Sequence, residues 1–101
     1  MVYWFLGLYE FVHQGPCAGG WKGPNTNQAN IVDCRNECAK CLNVGYFAYR
    51  TGNNCACYLA EYECPDDGKF YDHNAYRIVR EGILLVDILS YYLFYITNER
   101  R

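Results

Sequence analysis

The stretch that decides the fold runs from Asn30 to Leu59, NIVDCRNECAKCLNVGYFAYRTGNNCACYL, because the spacing of its cysteines changes partway along. Cys34, Cys38 and Cys41 stand at i, i+4 and i+7, so on a helix all three leave one face. Cys55 and Cys57 alternate with Ala56, so on a strand both sulfurs point to the same side of the sheet. A short helix laid on such a strand brings two sets of sulfurs together, a layout suited to disulfides between secondary-structure elements.

Local signals give that helix its ends. Asn30 is a good N-cap and Asp33 falls in the first turn, so the pattern predicts a helix from Ile31 to about Leu42. Ile31, Cys34, Cys38, Cys41 and Leu42 form its inward face; Arg35, Asn36, Glu37 and Lys40 form its wet face. Gly45 is expected to stop it. Tyr46–Arg50 and Cys55–Leu59 then read as two strands joined by Thr51-Gly52-Asn53-Asn54, a hairpin loop of suitable chemistry.

Outward from this centre, Leu8–Val12 alternates well enough for a first strand and Ala75–Val79 for a closing one. Ala18–Gln28 (AGGWKGPNTNQ) is turn chemistry throughout and is expected to form a long surface loop carrying Trp21. Residues 1–13 make a poor export signal, since Glu10 interrupts the apolar run and no small-residue cleavage site follows. The expected fold class is α+β: a small disulfide-rich domain with one helix packed across an antiparallel sheet, over residues 1–80, followed by an apolar segment over 81–101.

Composition narrows the setting. Seven cysteines in 101 residues are the mark of a small domain made in an oxidising compartment. The odd count allows three intrachain bridges and leaves one thiol over. A formal charge of −2 without any basic stripe argues against a nucleic-acid partner. Zinc is the alternative use of the sulfurs, through Cys38-x2-Cys41 and Cys55-x-Cys57, but it leaves Cys17, Cys34 and Cys64 without a role. No cofactor is implied. His13 and His73 belong to no catalytic motif, and Asp66-Asp67-Gly68 lacks the donor pattern of a calcium loop and reads as a solvated turn.

These residues together resemble the PAN/apple-like extracellular modules. The likeness is carried by Cys34-x3-Cys38 on a helix, then Tyr46-Phe47-Ala48-Tyr49, Cys57-Tyr58-Leu59 and Tyr76-Arg77-Ile78. Tyr9-Glu10-Phe11-Val12 and Cys17 precede them, so it covers about residues 8–79. WSC-like carbohydrate-binding modules come second, through Gly45–Cys57. The first resemblance implies a bridge between Cys34 and Cys57 and an outer one between Cys17 and Cys64. Cys38, Cys41 and Cys55 then remain. A pair at i, i+3 reaches bridging geometry poorly, which favours Cys38 with Cys55 and leaves Cys41 unpaired. Both resemblances imply an extracellular, non-catalytic binding or adhesion module for a glycan or a protein.

Two surfaces are candidates for recognition. Trp21, Tyr46, Tyr49 and Tyr58 lie on or beside the hairpin, and flat rings suit sugar faces; against this, strand tyrosines also simply cover a small core. Residues 83–97 (ILLVDILSYYLFYIT) are apolar almost all round. At ~1.5 Å rise per residue they reach roughly 22 Å as a helix, short of the ~30 Å hydrocarbon layer, so a membrane anchor is not favoured. An interface through Ile83, Leu84, Leu85, Ile88, Leu89, Tyr92, Leu93 and Ile96 explains the pattern better. It supports the alternative function, a structural subunit of an extracellular homo-assembly such as a filament or coat.

Overall fold

The structure, a computed structural model, describes residues 7–80. They form a five-stranded antiparallel sheet with one helix packed on it and three disulfides. The strands are β1 (Tyr9–Gln14), β2 (Thr26–Asn27), β3 (Val44–Arg50), β4 (Asn54–Leu59) and β5 (His73–Ile78), in the order β1-β5-β3-β4-β2. The helix α1 spans Ile31–Ala39. β2 is a two-residue addition to the edge of β4, inside the segment expected to be loop throughout.

Asn30 caps α1 as expected, its side chain accepting the Asp33 amide at 2.9 Å. The helix nevertheless ends at Ala39, three residues before the expected stop, and its last carbonyls turn to Arg80. That guanidinium donates to Ala39 O at 3.3 Å and to Cys41 O at 3.2 Å, groups that a longer helix would have bonded internally, and reaches Val44 O in β3 at 3.0 Å. Leu42 thus falls outside the helix and is 86% exposed rather than inward. Gly45 lies within β3, not at the helix end, and a Cβ there would press on Ala60 at 2.6 Å. Glycine is needed for that close approach.

Arg35, expected on the wet face, is only 4% exposed. It donates to Leu8 O at 2.9 Å and to Val79 O at 3.0 Å, clamping the chain just before β1 to the chain just after β5. Burial lowers its pKa, with Arg80 adding repulsion. A long aliphatic stem explains the misreading: it lets a charged head reach across a face that the helical period assigns to solvent.

Parity along the strands sorts the sheet into two faces. Phe47 on β3, Cys55 and Cys57 on β4, and Tyr76 and Ile78 on β5 meet α1 in one core. There Phe47 and Tyr76 stack at 5.2 Å between centroids, and Tyr9 adds edge contacts to both. On the opposite face Ala48, Ala56 and Ala75 sit in one row across the sheet. Three small side chains side by side leave room for loops to come down, and the Cys17–Cys64 bridge packs there.

The helix-to-sheet bridges join Cys34 to Cys55 and Cys38 to Cys57, with Cα separations of 5.5 and 5.3 Å. This corrects the expected Cys34–Cys57 and Cys38–Cys55 pairs. One helical turn of four residues rises ~6 Å and two strand residues span ~6.7 Å, so either pairing matches in spacing. Direction decides between them. The short connection after α1 turns the chain back into β3, and the hairpin returns it as β4, which therefore runs along α1 in the same sense. The first cysteine of the helix meets the first of the strand. Cys17 pairs with Cys64, and Cys41 is the free, half-buried thiol.

Candidate functional site

On the face away from the helix, β4 presents Asn54, Ala56 and Tyr58, the residues that alternate with its cysteines. They floor a groove of about 330 Å³ whose other lining residues include Trp21, Asn25, Asp67, Phe70 and His73. The same strand thus staples the helix with one set of side chains and floors the groove with the other.

Two loops make the walls. The segment leading to Trp21 docks on the edge of β4, with Lys22 N donating to Cys57 O at 2.9 Å and Leu59 N to Gly20 O at 2.8 Å. The segment after Cys64 carries Asp67 and Phe70. The Cys17–Cys64 bridge ties the two together, and Ala18 N donates to Pro65 O at 2.6 Å beside it. This disulfide holds the walls opposite each other.

Trp21 is 59% exposed and Phe70 60%, yet the indole is held in place. Its Nε1–H donates to Asn25 Oδ1 at 2.7 Å, and its ring lies so close to Gly23 that any Cβ there would overlap it. A polar chain continues from this point along the groove. Asn25 Nδ2 donates to Asn54 Oδ1 at 3.5 Å, Asn54 Nδ2 to His73 Nε2 at 3.0 Å, and His73 Nδ1 to Asp72 Oδ1 at 3.1 Å. Arg50 closes it on Asp72 at 3.3 Å. Burial works against the Asp72 charge, but the hydrogen bonds from His73 and Arg50 outweigh it and lower the pKa. Tyr58 shifts upward, through burial and the nearby Asp67 carboxylate.

The four expected recognition residues part company. Trp21 and Tyr58 are bridge partners at the groove, with Tyr58 only 6% exposed as its floor. Tyr46 pairs with Tyr58 across the sheet but lines a separate hollow with Leu42, Gly45, Arg77 and Arg80. Tyr49 lies on the helix face, where its hydroxyl donates to Gln28 O at 2.8 Å. It falls there because it is odd-spaced from Tyr46, a parity the sequence already contains. Asn54 could have been found by the same count, two residues before Ala56. Asn25, Asp67 and Phe70 carry no such signal, being loop residues placed by a disulfide.

Other candidates resolve by position. The sulfurs of Cys34, Cys38 and Cys55 lie within 4.8 Å of one another, as adjacent disulfides require. Cys41 and Cys57, the remaining thiols of the zinc alternative, are not in that group. His13 sets both ring nitrogens against carbonyls that can only accept, Nε2 2.8 Å from Cys64 O and Nδ1 3.0 Å from Gln14 O. The expected interface residues Ile83, Leu84, Leu85, Ile88, Leu89, Tyr92, Leu93 and Ile96 lie outside the described residues. Among those described, no helix is long and apolar enough to cross a membrane.

Compared with protein-family models, with curated proteins and with solved structures, the chain matches none.

Proposed function

We propose that this is an extracellular, non-catalytic recognition module, of the PAN/apple-like kind in its cysteine and aromatic spacing, that binds a saccharide in the groove of Trp21, Tyr58 and Phe70. The observation that carries this reading is the exposed indole of Trp21, held at Nε1 by Asn25 beside a row of side-chain amides. A pre-positioned ring offers a sugar's C–H face a stacking surface at little entropic cost, and amides and a carboxylate suit its hydroxyls. Three disulfides in a domain of this size fit an oxidising compartment, which supports the extracellular setting. The test is a glycan array with the unmodified chain and Trp21→Ala. Specific binding that disappears in Trp21→Ala, at unchanged melting temperature, is the expected result. An array without hits, or undiminished binding by Trp21→Ala, overturns the reading.

A second reading, a structural subunit of a homo-assembly, draws support from β1. This edge strand exposes Tyr9, Phe11 and Val12 with Leu8 before them, and such edges invite pairing with another copy. Sedimentation of the full chain as a monomer would refute it.

A further inference from the structure

The groove has a charge as well as a shape. One carboxylate, Asp67, lines it, and two more, Asp66 and Asp72, stand beside lining residues and are already engaged. Asp72 is held by Arg50 and His73, while Asp66 accepts the Gly68 amide at 2.9 Å and bonds the Tyr71 side chain. Asp67 differs. It lines the groove, and among the described residues its hydrogen bond is with the Lys69 amide, at Oδ1, which leaves Oδ2 without a partner. Among the described residues no cation forms an ion pair with it: Arg50 pairs with Asp72, and Lys69 Nζ, which keeps its charge, stands over the Phe70 ring at 5.7 Å from its centroid. His73 is engaged at both ring nitrogens, Nδ1 facing Asp72 and Nε2 facing Asn54. The walls are thus the exposed Trp21 ring and a Phe70 ring that Lys69 already shares, the floor is a tyrosine, and beside them stands a carboxylate with no ion pair among the described residues. Aromatic faces with a carboxylate beside them attract cations, through the ring quadrupole and through direct charge.

We propose that the groove selects an amino sugar, a hexosamine unit carrying a free ammonium group, over its N-acetylated counterpart. This rests on the saccharide reading above and names the ligand class for that same site. The sugar's C–H face stacks on Trp21, its ammonium donates to Asp67 Oδ2, and its hydroxyls meet Asn25 and Asn54. An acetamido group in the same place has no charge to offer Asp67.

The experiment is isothermal titration calorimetry of the full chain with short glucosamine oligosaccharides and with the matching N-acetylglucosamine oligosaccharides, at low and at high salt. The glucosamine series should bind at least about tenfold more tightly, the margin of a charge-assisted over a neutral hydrogen bond, and salt should erode the margin. Asp67→Asn keeps an acceptor for the Lys69 amide and so preserves the turn. It should erase the difference in affinity between the two series, and with it the salt dependence of that difference. Equal affinity for the two series, tighter binding of the acetylated one, or a preference that survives in Asp67→Asn overturns the amino-sugar assignment and leaves the saccharide reading standing. If neither series binds and the glycan array is also empty, the saccharide reading falls and this assignment falls with it.

Discussion

Removing the Cys17–Cys64 bridge should cost more stability than removing either bridge to the helix. A disulfide restricts the unfolded chain in proportion to the logarithm of the loop it closes. Taken alone, the 47-residue separation of Cys17 and Cys64 corresponds to about 4 kcal/mol. The separations of 21 for Cys34–Cys55 and 19 for Cys38–Cys57 correspond to about 3.3 and about 3.2 kcal/mol. The outer bridge encloses both helix bridges, and these interleave, so what matters is the loop each closes when the others are intact. From Cys17 the covalent path then runs to Cys34, across to Cys55 and on to Cys64, about 27 residues, and the outer bridge contributes about 3.6 kcal/mol. Between Cys34 and Cys55, with Cys38–Cys57 intact, the path is about 7 residues and the bridge contributes about 2.3 kcal/mol.

The assay is thermal unfolding by circular dichroism of paired Cys→Ala variants, with intact mass confirming the remaining bridges. Cys17→Ala/Cys64→Ala should lower Tm by roughly 15–25 °C and Cys34→Ala/Cys55→Ala by roughly 10–18 °C. Removing both helix bridges should cost about 5.6 kcal/mol, more than twice the loss of one, because the second removal opens the full 21-residue loop. If one helix bridge matters as much as the outer one, or the two add strictly, chain entropy is not what these bridges supply.

Three further outcomes are expected. His13 faces two carbonyls with Asp66 beyond; burial opposes its charge, but these groups outweigh it and raise its pKa above 6.5. Its stabilisation is therefore complete below the unfolded value of 6.5 and lost as pH rises through the folded value, and His13→Gln should flatten Tm against pH across that window. Arg35→Met should destabilise by roughly 1–3 kcal/mol in denaturant unfolding, since it removes the charged hydrogen bonds to Leu8 O, which keeps the Val79 amide, and to Val79 O; a loss below that of an ordinary surface substitution would refute the clamp. Asn30→Ala should cost about 1 kcal/mol by the same measurement, and Asn30→Asp, which keeps the acceptor, much less.

Much of the architecture was legible because it rests on local rules. The N-cap at Asn30, the helix through Cys34 and Cys38, the hairpin between β3 and β4 and the flanking strands β1 and β5 follow from capping chemistry, periodicity and turn residues. Of the recognition residues, Trp21 was visible as an aromatic ring in a turn-rich loop, and Tyr58 by its place on a strand. Tyr49 is close to Tyr46 in sequence but faces the helix, because an odd spacing along a strand puts the two on opposite sides of the sheet.

What the sequence by itself determined, then, is which residues share a face: spacing along a helix or strand sets the direction of each side chain before any tertiary contact forms. It determined the class of the domain for the same reason, since sulfurs on matched faces of a helix and a strand have few other uses. What only the tertiary structure decided is which faces meet and in what sense. The order of the helix bridges depends on the direction of β4 relative to α1, and spacing is blind to direction. Arg35 is buried where the segments just before β1 and just after β5 pass within reach of its guanidinium. The groove exists because a row of alanines leaves space above the sheet and a disulfide across 47 residues brings Asp67 and Phe70 opposite Trp21, a juxtaposition that no local rule contains.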